Sequence, residues 1–123
     1  MQNPKQYSPL ALAFLGDAVF ELMVREKTVR ESNLPVKKLH DITVSYVCAE
    51  SQAIAMKELV PLLTAEEFAI FRRGRNASGA VPKNADVRSY RIATGLEALF
   101  GYLYLMGDTD RIQELFERID GHN

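Results

Sequence analysis

Ser8-Pro9-Leu10-Ala11-Leu12-Ala13-Phe14-Leu15-Gly16-Asp17-Ala18-Val19-Phe20 is the stretch on which the fold turns. Ser8 offers a capping hydroxyl and Pro9 a preset φ at the first helical position, so a helix begins there. The pattern predicts one helix from Pro9 to about Arg30, roughly 30 Å long at helical rise. Leu10, Leu12, Phe14, Leu15, Val19, Phe20, Leu22 and Met23 spread around most of its circumference. A helix that is apolar on every side is normally buried on every side. In a chain of 123 residues, that points to a second copy covering what one core cannot.

Working outward, glycine and proline punctuate the rest into helices. Asn33-Leu34-Pro35 reads as a connection. Val36 to Val60 is helical by pattern, with a break expected near Ser45, and Pro61 ends it. Thr64 and Glu67 form a capping box that opens a short helix to about Arg75. Ser78 to Ala85, with Gly79, Pro82 and Asn84, is a loop. Asp86 is placed to cap a long helix to Met106, with apolar residues at Ile92, Leu96, Leu99, Phe100, Leu103 and Tyr104. Gly107-Asp108 breaks it, and Thr109 to Ile119 is a last amphipathic helix. No strand alternation, repeat or low-complexity run is present. The expected fold is all-α, about six helices in one domain spanning residues 1–123, with residues 1–8 and 120–123 frayed.

Apolar residues at 47% and charged residues at 25% are ordinary globular material, which argues against disorder. A single cysteine, Cys48, excludes an intramolecular disulfide framework and reads as a small buried apolar residue. Met1 to Ser8 carries no basic patch leading into an apolar run. The longest membrane candidate, Leu10–Val24, is interrupted by Asp17 and Glu21. A cytoplasmic protein is expected.

Two acids stand where surface charges do not belong. Asp17 lies within Phe14–Phe20, and Glu97 within Gly95-Leu96-Glu97-Ala98-Leu99-Phe100. A carboxylate in apolar surroundings needs a cation, because desolvating the charge is costly. If the two long helices pack together, the carboxylates converge, and hard oxygen ligands suit Mg²⁺ or Mn²⁺. Glu21, one turn after Asp17, could stand behind it as an outer partner of the metal's ligands. The alternative is a buried ion network in which Arg25 or Arg91 neutralises the acids. Gly16 and Gly101, unfavourable inside helices, point to close helix approach. His40 reads as a surface residue, and His122 lies in the tail.

The net charge of −1 would suggest no nucleic-acid partner. Its distribution says otherwise. Arg72, Arg73, Arg75, Lys83, Arg88 and Arg91 fall within twenty residues against one acid, Asp86, a local charge of +5. They bracket the loop that precedes the Glu97 helix, where forked guanidinium hydrogen bonds can hold phosphates. Ser78 and Asn84 add neutral donors.

These residues resemble a known family. Phe14-Leu15-Gly16-Asp17-Ala18-Val19 looks like the heart of the ribonuclease III signature, and Glu97-Ala98-Leu99-Phe100-Gly101-Tyr102-Leu103-Tyr104-Leu105 like its second acidic helix. From Leu10 to Ile119 the chain is similar to the mini-ribonuclease III branch. Arg73-Gly74-Arg75-Asn76-Ala77, Pro82-Lys83-Asn84 and Asp86-Val87 look like that branch's loop and helix start. The resemblance implies that Asp17 and Glu97 bind catalytic Mg²⁺, and that Phe14 and Gly16 lie at the two-fold contact of a homodimer. Full-length members carry further acids four residues before the aspartate and three before the glutamate. Ala13 and Thr94 stand there here, as the mini branch also departs. Two carboxylates per site imply weak metal binding before substrate arrives. No room is left within these residues for the family's separate double-stranded-RNA-binding domain.

The implied activity is Mg²⁺-dependent hydrolysis of double-stranded RNA, with structured precursor ribosomal RNA as the substrate class. A metal-activated water would attack the phosphodiester in line, leaving 5′-phosphate and 3′-hydroxyl ends. Two sites related by the dimer axis would cut with a stagger. Recognition would be by backbone and shape. Two rivals stand beside this reading: a non-catalytic RNA-binding or ribosome-associated helical module, and a plain helical dimerisation domain. Whether an accessory protein, such as a ribosomal protein, presents the RNA is left open.

Overall fold

Ser8 accepts hydrogen bonds from the Leu10 and Ala11 amides at 3.2 and 3.4 Å and so starts the first helix, as its sequence position predicts. In the computed structural model, which describes residues 3–77 and 79–120, that helix is α1 (Pro9–Glu31). It is followed by α2 (Val36–Val47), α3 (Ala49–Leu59), α4 (Ala65–Ala77), α5 (Val87–Leu105) and α6 (Thr109–Asp120). No strand occurs among the described residues. Ser78 and His122, both read from the sequence, lie outside the described residues.

Two further helix ends follow the same logic, whereas α2, α3 and α5 begin without a side-chain capping hydrogen bond. Thr64 and Glu67 exchange capping hydrogen bonds at 2.9 and 3.1 Å and open α4. Gly107, at φ 74°, adopts the left-handed turn that ends α5. Asp86 occupies the N-cap of α5 but makes no capping hydrogen bond; its carboxylate accepts from the Ser89 hydroxyl at 2.7 Å. The break in the second helical stretch falls at Cys48, not near Ser45. Cys48 is extended, at φ −67° and ψ 153°, and is exposed instead of buried. His40 lies exposed within α2.

Packing centres on α5, which lies against α1, α3, α4 and α6. Its run from Ala93 to Leu103 is buried except at Glu97. Phe20 of α1 meets Phe100 of α5 edge-on at 5.3 Å and Phe116 of α6 at 5.9 Å, joining three helices in one aromatic cluster.

Residues 3–8, expected to fray, are held instead. Arg73 donates to the Lys5 and Tyr7 carbonyls at 2.9 and 3.4 Å, and Lys5 pairs with Glu66 at 2.8 Å. Both contacts join residues more than sixty apart, beyond what local pattern can show.

Arg111 fastens α6 to the start of α4. It donates to both Glu67 oxygens at 2.9 and 2.8 Å, to the Leu62 carbonyl at 2.8 Å and to Glu114 at 2.6 Å. Burial works to raise the Glu67 carboxyl, but Arg111 and the Thr64 amide outweigh it and hold it below the usual carboxylate range. Glu67 and Arg111 are 8% and 19% exposed as side chains. Arg111→Met therefore strands a buried carboxylate, and is expected to lose about 2–3 kcal/mol in urea unfolding at pH 7. A depressed carboxylate stabilises above its unfolded value and loses that contribution as pH falls through its folded one. The deficit of the variant shrinks accordingly on acidification. An unchanged urea midpoint would contradict the assignment.

Candidate active site

The site exists because α1 and α5 touch backbone to backbone. A Cβ on Gly16 would lie 1.6 Å from the Glu97 carbonyl oxygen, and one on Gly101 would lie 2.0 Å from the Leu12 carbonyl oxygen. Only glycine permits that crossing. Gly16 is thus buried against α5 of its own chain. Phe14 remains 85% exposed.

The crossing brings the next residue, Asp17, up to Glu97. The two carboxyl groups face each other closely enough that the Asp17 charge acts directly on Glu97. Asp17 is exposed in the single chain, so its apolar sequence neighbours did not imply burial, whereas Glu97 is largely enclosed. Burial first, then the negative charge of Asp17, push the Glu97 carboxyl from its ordinary 4.5 up to about 8. Gln52 of α3 acts in the opposite direction, as an amide donor facing the carboxyl. By distance and angle it completes no hydrogen bond there, and its Nε2 is buried without a partner.

Among the described residues no lysine or arginine forms an ion pair with Asp17 or Glu97, and no group of three or more His, Cys, Asp or Glu gathers around them. Arg25, a candidate partner in the ion-network alternative, pairs instead with Glu21 at 2.6 Å. Glu21 is therefore engaged by Arg25 of the same helix. Two facing carboxylates without a countercharge fit a divalent cation whose remaining ligands are water and substrate phosphate.

The basic residues divide. Arg75, Arg88 and Arg91 line a groove of about 780 Å³ between α3, α4 and the start of α5. Lys57 joins them, a residue sequence reading passed over because it stands alone in α3. The floor is apolar, with Met56, Phe68, Phe71 and Ile92, and the Arg75 guanidinium lies 5.6 Å from the Phe71 ring centroid. Arg72 and Lys83 are exposed outside the groove. Arg73 is used to bind the N-terminal segment, so it is not the free phosphate ligand expected of it. Gln52 faces Glu97 and its neighbour Ala53 lines the groove, while neither Asp17 nor Glu97 is part of the groove's lining.

An acidic pair carried on two crossing helices, in an all-helical fold that also bears a cationic groove, fits a metal-dependent phosphodiesterase. Residues 10–108 match the Ribonuclease III domain, and the chain belongs to the ribonuclease III family. Members of that family are metal-dependent endonucleases of double-stranded RNA that typically form dimers, and this chain is such an endonuclease. Within the family it is similar to Mini-ribonuclease 3 of Thermoanaerobacter sp. (strain X514), with 51% identity over 111 residues, 89% of this chain and 78% of that protein. It is 44% identical over 118 residues to Mini-ribonuclease 3 of Symbiobacterium thermophilum, covering 95% of this chain and 91% of that one. The crystal structure of protein FN1578 from Fusobacterium nucleatum superposes with a TM-score of 0.86 at 30% identity, over 95% of this chain and 96% of that one. No helix among the described residues is long and apolar enough to cross a membrane.

Proposed function

We propose that Asp17 and Glu97 jointly hold a Mg²⁺ ion, replaceable by Mn²⁺, at which structured precursor ribosomal RNA is cut. The observation that carries this reading is the meeting of two carboxylates across the Gly16–Gly101 crossing with no lysine or arginine between them. When bound, the ion supplies Lewis acidity to the phosphodiester and lowers the pKa of the attacking water. Glu97 gives up its raised proton to become a ligand, so metal and proton compete for the site. Arg75, Arg88, Arg91 and Lys57 hold the RNA backbone beside it, with Arg72 and Lys83 at the edge. Asp17 lies one turn from Phe14, whose exposed ring continues as an apolar stripe through Leu10 and Leu22. A second copy packed on that stripe gives a homodimer with two acidic pairs near the axis, suited to a staggered cut of both strands. The substrate class places the enzyme in the cytoplasm. The 123 residues are read as one catalytic domain.

The test is incubation with long double-stranded RNA at low salt, with Mg²⁺ or with chelator. Cutting to 5′-phosphate ends is expected with Mg²⁺ alone. Duplex binding without cutting would favour a non-catalytic RNA-binding module. Arg88→Ala and Arg91→Ala should each weaken duplex binding and lower the slope of log affinity against log salt by about one. An unchanged slope in both would remove them from the RNA interface.

A further inference from the structure

Gln52 is the residue the activity leaves unexplained. Its side chain is 2% exposed, among Ala53, Ala55, Met56 and Leu59 on the buried part of α3. Its Nε2 is the one buried side-chain nitrogen or oxygen among the described residues with no hydrogen-bond partner. A leucine of similar volume would fill the same space without desolvating an unpaired donor, so packing alone does not account for an amide here. The amide is also not placed at random. It faces the Glu97 carboxyl from α3, while Asp17 approaches the same carboxyl from α1. Turning the amide over would set its carbonyl oxygen against carboxylate oxygens, so the donor end is the one that belongs there.

We propose that Gln52 is a positioning residue of the metal centre, whose amide N–H donates to one oxygen of Glu97 and turns the other toward Asp17 and the ion they share. The inference rests on the reading of Asp17 and Glu97 as metal ligands. In the metal-free chain the Glu97 carboxyl faces Asp17, and the Gln52 donor is left without a partner. Asp17 and Glu97 would hold the cation as carboxylates, and a deprotonated Glu97 would have an oxygen free to accept from Gln52. Because this site has only two acids, fixing the rotamer of one of them decides a large share of its affinity for the ion. Outer partners that orient a metal ligand are worth about ten- to a hundredfold in metal affinity or activity.

The experiment uses the full chain and Gln52→Leu, with Gln52→Met as a second variant of similar bulk should leucine pack poorly. Melting temperature is followed against Mn²⁺ concentration, and kcat and KM are measured on long double-stranded RNA at fixed Mg²⁺. Both variants are expected to melt, without metal, at or above the wild-type temperature. The Mn²⁺ concentration giving half of the metal-induced rise should increase about tenfold or more. At limiting Mg²⁺, kcat should fall by a similar factor and recover at high Mg²⁺, with KM for RNA little changed. A lower metal-free melting temperature together with unchanged Mn²⁺ dependence would make Gln52 a packing residue and overturn the proposal while the metal site stands. If Mn²⁺ raises the melting temperature of neither the wild type nor its RNA complex, the metal-site reading fails and this inference fails with it.

Discussion

Asp17→Asn and Glu97→Gln are each expected to lower cleavage of long double-stranded RNA by about 10³-fold or more while duplex binding persists. Each change removes one of the two acids proposed to hold the metal, and among the described residues no group of three or more His, Cys, Asp or Glu gathers there to compensate. The same variants should melt higher than the wild type without metal, because each abolishes the repulsion that acts on Glu97. A sign can be attached to this. The folded chain holds a proton on Glu97 up to about pH 8, whereas the unfolded carboxyl releases it near its ordinary 4.5. Between those values the folded state binds more protons at Glu97 than the unfolded one, so the Glu97 contribution to metal-free stability is full below about pH 4.5 and is lost as pH rises toward 8. Glu97→Gln should flatten that fall, and Mg²⁺ should offset it. Calorimetric scans across pH 5–8, with and without Mg²⁺, read out both effects. A wild-type melting temperature that rises over that range without metal would contradict the coupling of the two acids.

Gly16→Ala is expected to be the most damaging single-methyl change in the chain. The added Cβ would sit 1.6 Å from the Glu97 oxygen, 2.5 Å from its carbonyl carbon and 2.8 Å from the Gly101 nitrogen. Those are backbone atoms in the middle of α5, so no side chain can swing aside. Reaching an ordinary contact of 3.4 Å requires the helices to part by about 1.8 Å at that point (3.4 − 1.6). Because α5 is packed on every side, the displacement spreads through the core, and a loss of roughly 3 kcal/mol or more is expected. That is a large part of a total of about 5–15 kcal/mol for a domain of this size. Urea unfolding followed by circular dichroism measures it, and a loss under about 1 kcal/mol would mean that the crossing is looser than described. Any folded fraction should also cut poorly, since parting the helices carries Asp17 away from Glu97.

What could be read from the sequence was what local chemistry signals. Ser8-Pro9, the Thr64–Glu67 box and Gly107 marked helix ends through hydrogen bonds and φ preferences that act over a few residues. Asp17 and Glu97 were conspicuous because acids are rare in such apolar runs, and Gly16 and Gly101 because glycine is unfavourable in a helix without a neighbour's backbone against it. Features made by distant packing were not legible. Gln52 looks like any surface glutamine until α3 is laid on α5. Arg73 resembles the other loop arginines until residues 3–8 return to it. The helix break at Cys48 carries no glycine or proline, and Ala49 and Glu50 are both good helix formers. Gly16 was legible as a point of close approach, but sequence does not say which helix approaches it.

The most direct test of the account is an anomalous difference map from crystals grown with Mn²⁺ and a duplex RNA. The account predicts a peak bridging one Asp17 and one Glu97 oxygen, at about 2.0–2.2 Å from each, with Gln52 Nε2 donating to the other Glu97 oxygen. Metal density elsewhere, with Asp17 and Glu97 still facing each other beside bound RNA, would contradict it.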